Sequence, residues 1–263
     1  MMVPTNHGSI EVRISGGTSG EESLVVMLPS LGRGAADFDR LADDVARAGY
    51  RVACPEPRGL GGSAGAEREE TLAALAGDVA DVIRGLGGGP AYVVGHAYGN
   101  RIARMTATMH SELVEGLVLL ACGGFVPPTE EVAGTLRTVF DTRQPPEVRR
   151  DAVARAFFAP GNDPTPWVGG WHGSLAHRQE RATVSTPVSD WWAGGSAPML
   201  AVQPADDVLA VPANAEALVE AAGDRVEVVF IPNAGHALLP EQPEAVADAV
   251  IGWLDRQRAG AAV

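Results

Sequence analysis

Short runs of consecutive apolar residues alternate along this chain with longer stretches in which apolar residues recur every three or four positions. Leu24-Val25-Val26-Met27-Leu28, Ala91-Tyr92-Val93-Val94 and Met199 to Gln203 are runs of the first kind, and Val226 to Ile231, broken by Glu227, reads as a further strand. Unbroken apolar runs of that length, rich in β-branched residues, are strands buried on both faces, as in parallel sheets. Between them the spacing predicts helices over Asp37 to Gly49, Thr71 to Gly85, Ala97 to His110, Ala213 to Ala221 and Pro243 to Arg258. Phe38, Leu41, Val45 and Ala48 mark the helical period in the first, and Pro243 suits the first position of the last. The alternation implies an α/β fold, a mostly parallel central sheet with helices on both faces. No internal repeat or low-complexity linker interrupts it.

One region departs from this pattern. From Phe125 to Ala197 the strands vanish, and helix-like stretches (Glu130 to Phe140, Pro146 to Phe158) give way to sequence rich in Gly, Pro and Trp. The expected organisation is a core of residues 1–124 and 198–263 with residues 125–197 inserted as a helical cap. Trp167, Trp171, Trp191 and Trp192, four of the five tryptophans, lie in the insertion. Such a set of aromatics either faces an apolar ligand or builds the core of a small cap from few residues.

The sharpest chemical feature is Gly95-His96-Ala97-Tyr98-Gly99, set between a buried strand and a helix. That context is what G-x-S-x-G needs to form a nucleophile elbow, a strained turn that lifts one side chain above the sheet. Its glycines fit a turn whose backbones approach too closely for larger side chains. Ala97 has no oxygen, sulfur or carboxylate, so it is inert as a nucleophile.

On five motifs in chain order, the sequence resembles the α/β-hydrolases over nearly its full length. Pro29-Ser30-Leu31-Gly32-Arg33 follows the early strand where that family usually writes a His-Gly pair opening its oxyanion loop. Pro57-Arg58-Gly59-Leu60-Gly61-Gly62-Ser63 is similar to the family's R-G-x-G-x-S turn, and the elbow comes third. Asp206-Asp207-Val208 follows Gln203 where the family places its acid, and Asn233-Ala234-Gly235-His236-Ala237 follows Ile231 where it places its histidine. Nucleophile position, acid, histidine is the order expected of this fold. The resemblance implies His236 as general base, Asp207 as the acid orienting it, and an oxyanion hole from the backbone N–H groups of Leu31 and Tyr98. Asp206 would face solvent or cap the loop. Gly-His-Ala-Tyr-Gly-Asn-Arg is itself similar to a bacterial branch of the family with alanine at the elbow.

Other side chains are candidates for the pocket. Ser30 stands where the family usually has glycine; its hydroxyl either faces the pocket or stabilises the loop. Cys122 ends a strand beside the elbow strand, as a pocket thiol or as inert packing. Tyr98 offers a phenol or a stretch of pocket wall. Trp171, His172 and Trp192 could enter from the cap, Arg33 could greet an anionic substrate or sit solvated in its loop, and His96 supports the elbow turn in this family. His7, His110 and His177 read as solvated surface.

The bulk numbers narrow the partners. A net charge of −13 argues against nucleic acid and anionic membrane. All 20 basic residues are arginine, which excludes lysine Schiff-base and lysine-base chemistry. No secretory signal is visible in Met1 to Val12, and no run approaches the roughly 18 apolar residues of a spanning helix. Cys54 and Cys122 are expected on opposite sides of the central strand pair, hence reduced, and the chain cytoplasmic. No metal-ligand spacing or phosphate-binding loop occurs, so neither metal nor cofactor is expected. The expected partner is a small-molecule substrate, and the chain a monomer or homodimer. Three readings of Ala97 stand: a serine-free enzyme running hydrolase, lyase or cyclase chemistry from His236 and Asp207 on an ester, lactone or ketone; an esterase or lactonase whose serine was engineered to alanine; and a binder without catalysis.

Overall fold

Eight strands form one sheet in the order β1-β2-β4-β3-β5-β6-β7-β8. They are β1 (Met2–Thr5), β2 (Gly8–Ser15), β3 (Leu24–Leu28), β4 (Arg51–Pro55), β5 (Ala91–His96), β6 (Val114–Leu120), β7 (Met199–Pro204) and β8 (Val226–Ile231). The computed structural model describes residues 1–17, 22–65, 70–141 and 143–261. From β4 onward every pairing is parallel, as the apolar runs predict, while β1 and β2 add an antiparallel edge. That edge goes unpredicted because only Ile10 and Val12 of β2 are fully buried, which leaves a weak alternation in place of a continuous apolar run.

The helices are α1 (Asp39–Arg47), α2 (Leu72–Gly85), α3 (Tyr98–Met109), α4 (Glu130–Phe140), α5 (Pro146–Phe157), α6 (Gly173–Val184), α7 (Ala213–Ala222), the single turn α8 (Leu238–Glu241) and α9 (Pro243–Ala261). Alternate residues of each central strand serve opposite faces. Val26, Val93, Leu117 and Leu119 join α2 and α3 in one cluster. Val25, Met27, Val94, Val118 and Leu120 join α1 and α9 in the other. Each fully buried aliphatic side chain contributes about 1.5–3 kcal/mol. Thr71 caps α2 by accepting from the Ala74 N–H at 3.1 Å, which fixes its start one residue after the expected one.

Between β6 and β7 the described chain carries α4, α5 and α6 and no strand. Val139, Val153, Phe157, Phe158 and Trp167 of this segment form a small cluster with Ala237, against which Leu209 packs. The sequence shows α4 and α5 but not α6. That helix begins at glycine, and its inward stripe of Leu175, Ala176 and Ala182 is broken by the buried Gln179. Gln179 turns inward because its Oε1 accepts from the Gly32 N–H at 2.7 Å.

Strand ends are aligned: Leu28 pairs with Gly95, His96 with Leu120, Leu120 with Val202, and Pro204 with Ile231. The loops carrying Leu31, Ala97, Asp207 and His236 therefore leave the sheet along one edge, the carboxyl ends where open α/β sheets form their crevice. Cys54 and Cys122 are both buried and free, on β4 and just after β6, with β3 and β5 between. Among the described residues no helix is long and apolar enough to cross a membrane.

Candidate active site

The elbow is built by close approach. A Cβ on Gly99 would stand 2.1 Å from the Leu28 carbonyl oxygen, and one on Gly95 2.5 Å from the Asn100 nitrogen. Between them Ala97 adopts φ 49°, ψ −101°, outside the regions open to a residue with a Cβ. Such backbone strain costs about 1–3 kcal/mol. Asn100 holds the turn from beneath, its Nδ2 donating to the carbonyls of Leu120 (2.9 Å) and Ala121 (3.1 Å).

His236 and Asp207 meet beside it. Nδ1 of His236 lies 2.9 Å from Oδ2 of Asp207, whose Oδ1 accepts from the N–H groups of Leu209 (2.9 Å) and Ala210 (2.8 Å). A carboxylate only accepts, so Nδ1 carries the proton and Nε2 is left as the basic nitrogen. His96 supports this loop from below and is wholly buried, its Nε2 2.8 Å from the His236 carbonyl oxygen. A carbonyl can only accept, so His96 donates from Nε2. Burial, with His236 beside it, pushes its pKa down to about 3 and keeps the ring neutral. Glu241 completes the support, accepting from the Gly235 N–H (2.8 Å) and the Ala159 N–H (2.7 Å).

A cavity of about 910 Å³ opens over Ala97 and His236. Ser30, Leu31, Tyr98 and Arg101 line it from the core, and Leu136, Phe140, Phe157 and Trp171 from the insertion. Tyr98 opens α3, so its N–H is one of the donors a helix leaves unpaired at its start. The Leu31 N–H has no protein acceptor among the described residues. Both amides therefore border the space beside Ala97 with donors to offer. Burial pushes the Tyr98 phenol up, so it stays protonated. A second cavity, of about 60 Å³ near Arg58 and Asp78, is far smaller and touches neither Ala97 nor His236.

Several sequence candidates fall outside the main cavity. Arg33 is consumed within the protein: it grips Asp37 with two nitrogens (2.6 and 2.8 Å), donates to the Gly169 carbonyl (2.6 Å), and lies 4.6 Å from the ring centres of both Trp167 and Trp171. His172 is exposed; its backbone N–H, not its ring, reaches the Gly32 carbonyl (2.9 Å). Trp192 stacks on Arg104 at 4.5 Å and on Phe125 at 5.1 Å. Cys122 is buried in the core, where desolvation raises its thiol pKa. His96 lies beneath the site. Conversely His177, expected on the solvated surface, is exposed yet lines the cavity rim. Of the four insertion tryptophans only Trp171 faces the cavity, so the rest serve mainly as core. Sequence reasoning missed Gln179 and Glu241, whose partners lie far along the chain or in a loop. It also missed Arg101, which the i, i+4 spacing from Ala97 could have flagged. No cluster of His, Cys, Asp and Glu fit for a metal occurs among the described residues.

Known structures share this framework. A bacterial membrane phospholipase A superposes with a TM-score of 0.82 at 21% identity, covering 98% of this chain and 86% of its own. An esterase from Thermogutta terrifontis gives 0.78 at 21%, covering 98% of each chain. An enol-lactonase from Burkholderia xenovorans gives 0.79 at 20%, covering 97% of this chain and 100% of its own. At these identities the likeness is one of fold. The profile of the alpha/beta hydrolase family matches residues 25–249, most of the sequence and every element of the site. With the parallel sheet, the strained elbow and the aligned strand ends, that match makes this chain a member of the alpha/beta hydrolase family.

Proposed function

We propose that this protein is a serine-free enzyme that acts on a small apolar ester-, lactone- or ketone-like molecule and needs no cofactor. His236 is the general base, Asp207 orients it, and the amides of Leu31 and Tyr98 stabilise the oxyanion. The observation that carries this reading is the 2.9 Å contact between His236 and Asp207 beside a cavity of about 910 Å³. A protein that only bound ligand would have no use for an imidazole held in one tautomer.

With an ester or lactone, Nε2 of His236 takes a proton from water as the hydroxide adds to the carbonyl carbon. The negative oxygen sits on the two amides, and the imidazolium returns the proton to the departing alkoxide. With a ketone, the same nitrogen removes a proton from the carbon beside the carbonyl, and the amides hold the enolate that lyase or cyclase chemistry consumes. The insertion is the lid over this reaction, with Trp171 and Phe157 as its apolar ceiling. The two free thiols suit a cytoplasmic enzyme working as monomer or homodimer.

A second reading is favoured by one observation. The strain at Ala97 is the strain of a turn that aims a nucleophile, so an esterase or lactonase with its serine replaced is the alternative. Two variants separate the readings. If the serine-free reading holds, His236→Ala abolishes turnover found in a screen of aryl esters, lactones and 1,3-diketones, and undiminished turnover refutes it. Ala97→Ser raising aryl-ester hydrolysis by about 10³-fold or more would favour the replaced serine.

A further inference from the structure

We infer that the substrate carries a carboxylate and that Arg101, on the cavity wall, is its receptor. The inference rests on the reading above only in taking this cavity as the substrate site. Arg101 lies on α3 four residues after Ala97, one turn along the same helix face. It lines the cavity and is partly buried.

The more deeply buried arginines Arg33, Arg58 and Arg104 each have acceptors, with Nη1 of Arg58 left without one among the described residues. Arg33 grips Asp37, and Arg58 donates to Asp78 at 2.6 Å. Arg104 donates to the carbonyls of Asn100, Gly123 and Trp192. Arg101 has no hydrogen bond and no ion pair among the described residues; the centre of the Trp191 ring lies 5.6 Å from its guanidinium carbon. Of the two carboxylates at the cavity edge, Asp141 is paired with Arg143 at 2.7 Å, and Glu180 lies 3.9 Å from the exposed His177.

A guanidinium with five donors and no acceptor is costly to desolvate, and burial lowers its pKa accordingly. An anion in the cavity removes that cost, and the planar fork matches a carboxylate through two parallel hydrogen bonds. The apolar part of the wall, with Leu136, Phe140, Phe157 and Trp171, takes the hydrocarbon part, while Arg137, Arg143 and His177 stand at the exposed rim. The substrate class is therefore an apolar acid bearing a second carbonyl function, its carboxylate at Arg101 and its reacting carbonyl at Ala97 and His236.

The test is binding of ω-phenylalkanoates, from phenylpropanoate to phenylhexanoate, against the corresponding amides, by calorimetry on the full chain. At least one acid is expected to bind about tenfold or more tighter than its amide, equivalent to about 1.4 kcal/mol. Arg101→Met and Arg101→Gln should erase the preference with thermal unfolding intact, while Arg101→Lys keeps part of it. Equal binding of acids and amides, a preference surviving in both neutral variants, or no binding by any acid overturns the inference. The general-base reading is tested separately, by turnover of His236→Ala, so the two can fail independently.

Discussion

Asp207 touches His236 with one carboxylate oxygen and is itself held by the other: Oδ2 lies 2.9 Å from Nδ1 of His236, while Oδ1 accepts from the amides of Leu209 and Ala210. The carboxylate is thus anchored by the backbone on one side and meets the imidazole with the other. Asp207→Asn keeps the shape and the space but allows an amide N–H to face Nδ1, which drives the ring to the opposite tautomer and spoils Nε2 as a base. Turnover is expected to fall about 10³–10⁴-fold with little change in thermal stability. Steady-state kinetics on any substrate found for the parent protein reads this directly. A loss under about tenfold would mean that the tautomer is not set by Asp207.

Ala97 bears the strain of an elbow without the oxygen that elbow exists to aim. Glycine is free of the clash at φ 49°, ψ −101°, though it adds freedom to the unfolded chain. The first effect is larger here, so Ala97→Gly should stabilise the fold by about 1 kcal/mol. The midpoint of urea unfolding measures it. An unchanged or lowered midpoint would show that surrounding contacts have already relaxed the turn.

Much of the core could be read from the chain because its signals are local. The continuous apolar runs that become β3, β5 and β7 sit in the middle of a parallel sheet, where both faces are buried. The elbow rests on five consecutive residues, and Asp207 and His236 each follow a strand end within a few residues. What the sequence hides is set by distant partners. The inward turn of Gln179 answers an amide 147 residues away. Arg33 and Trp192 look like pocket residues until the insertion folds back, placing tryptophan rings around Arg33 and Arg104 beside Trp192. Which side of a loop faces inward is decided by packing that periodicity does not record.

Neutral His96 makes the fold sensitive to acid. Its pKa drops from the ordinary 6.5 to about 3, so between those values the unfolded chain binds one more proton than the native one. Stability from this group is fully present above about pH 6.5 and is lost as pH falls toward 3, by at most about 1.4 kcal/mol per pH unit. His96→Gln retains a donor toward the His236 carbonyl and cannot titrate. Urea unfolding at pH 7, 6, 5 and 4 should show the parent losing stability more steeply than the variant. Parallel curves would mean that His96 is protonated in the native state or reached by water.

Arg33 ties the segment between β6 and β7 to the loop after β3. Its guanidinium lies 4.6 Å from the centres of both the Trp167 and Trp171 rings, and its nitrogens reach Asp37 and the Gly169 carbonyl. Arg33→Ala removes the charge, the stacking and the tether together, and leaves Asp37 without its guanidinium partner. Losing one side of a buried pair costs about 3–5 kcal/mol. Arg33→Met fills much of the space between the rings without the charge and should recover part of the loss. Limited proteolysis should cut the alanine variant sooner between Phe158 and Gly173, while α3 and the sheet stay protected. If parent and variant are cut at the same rate, the segment is held by the cluster of Phe157, Phe158 and Trp167 with Ala237 and not by Arg33.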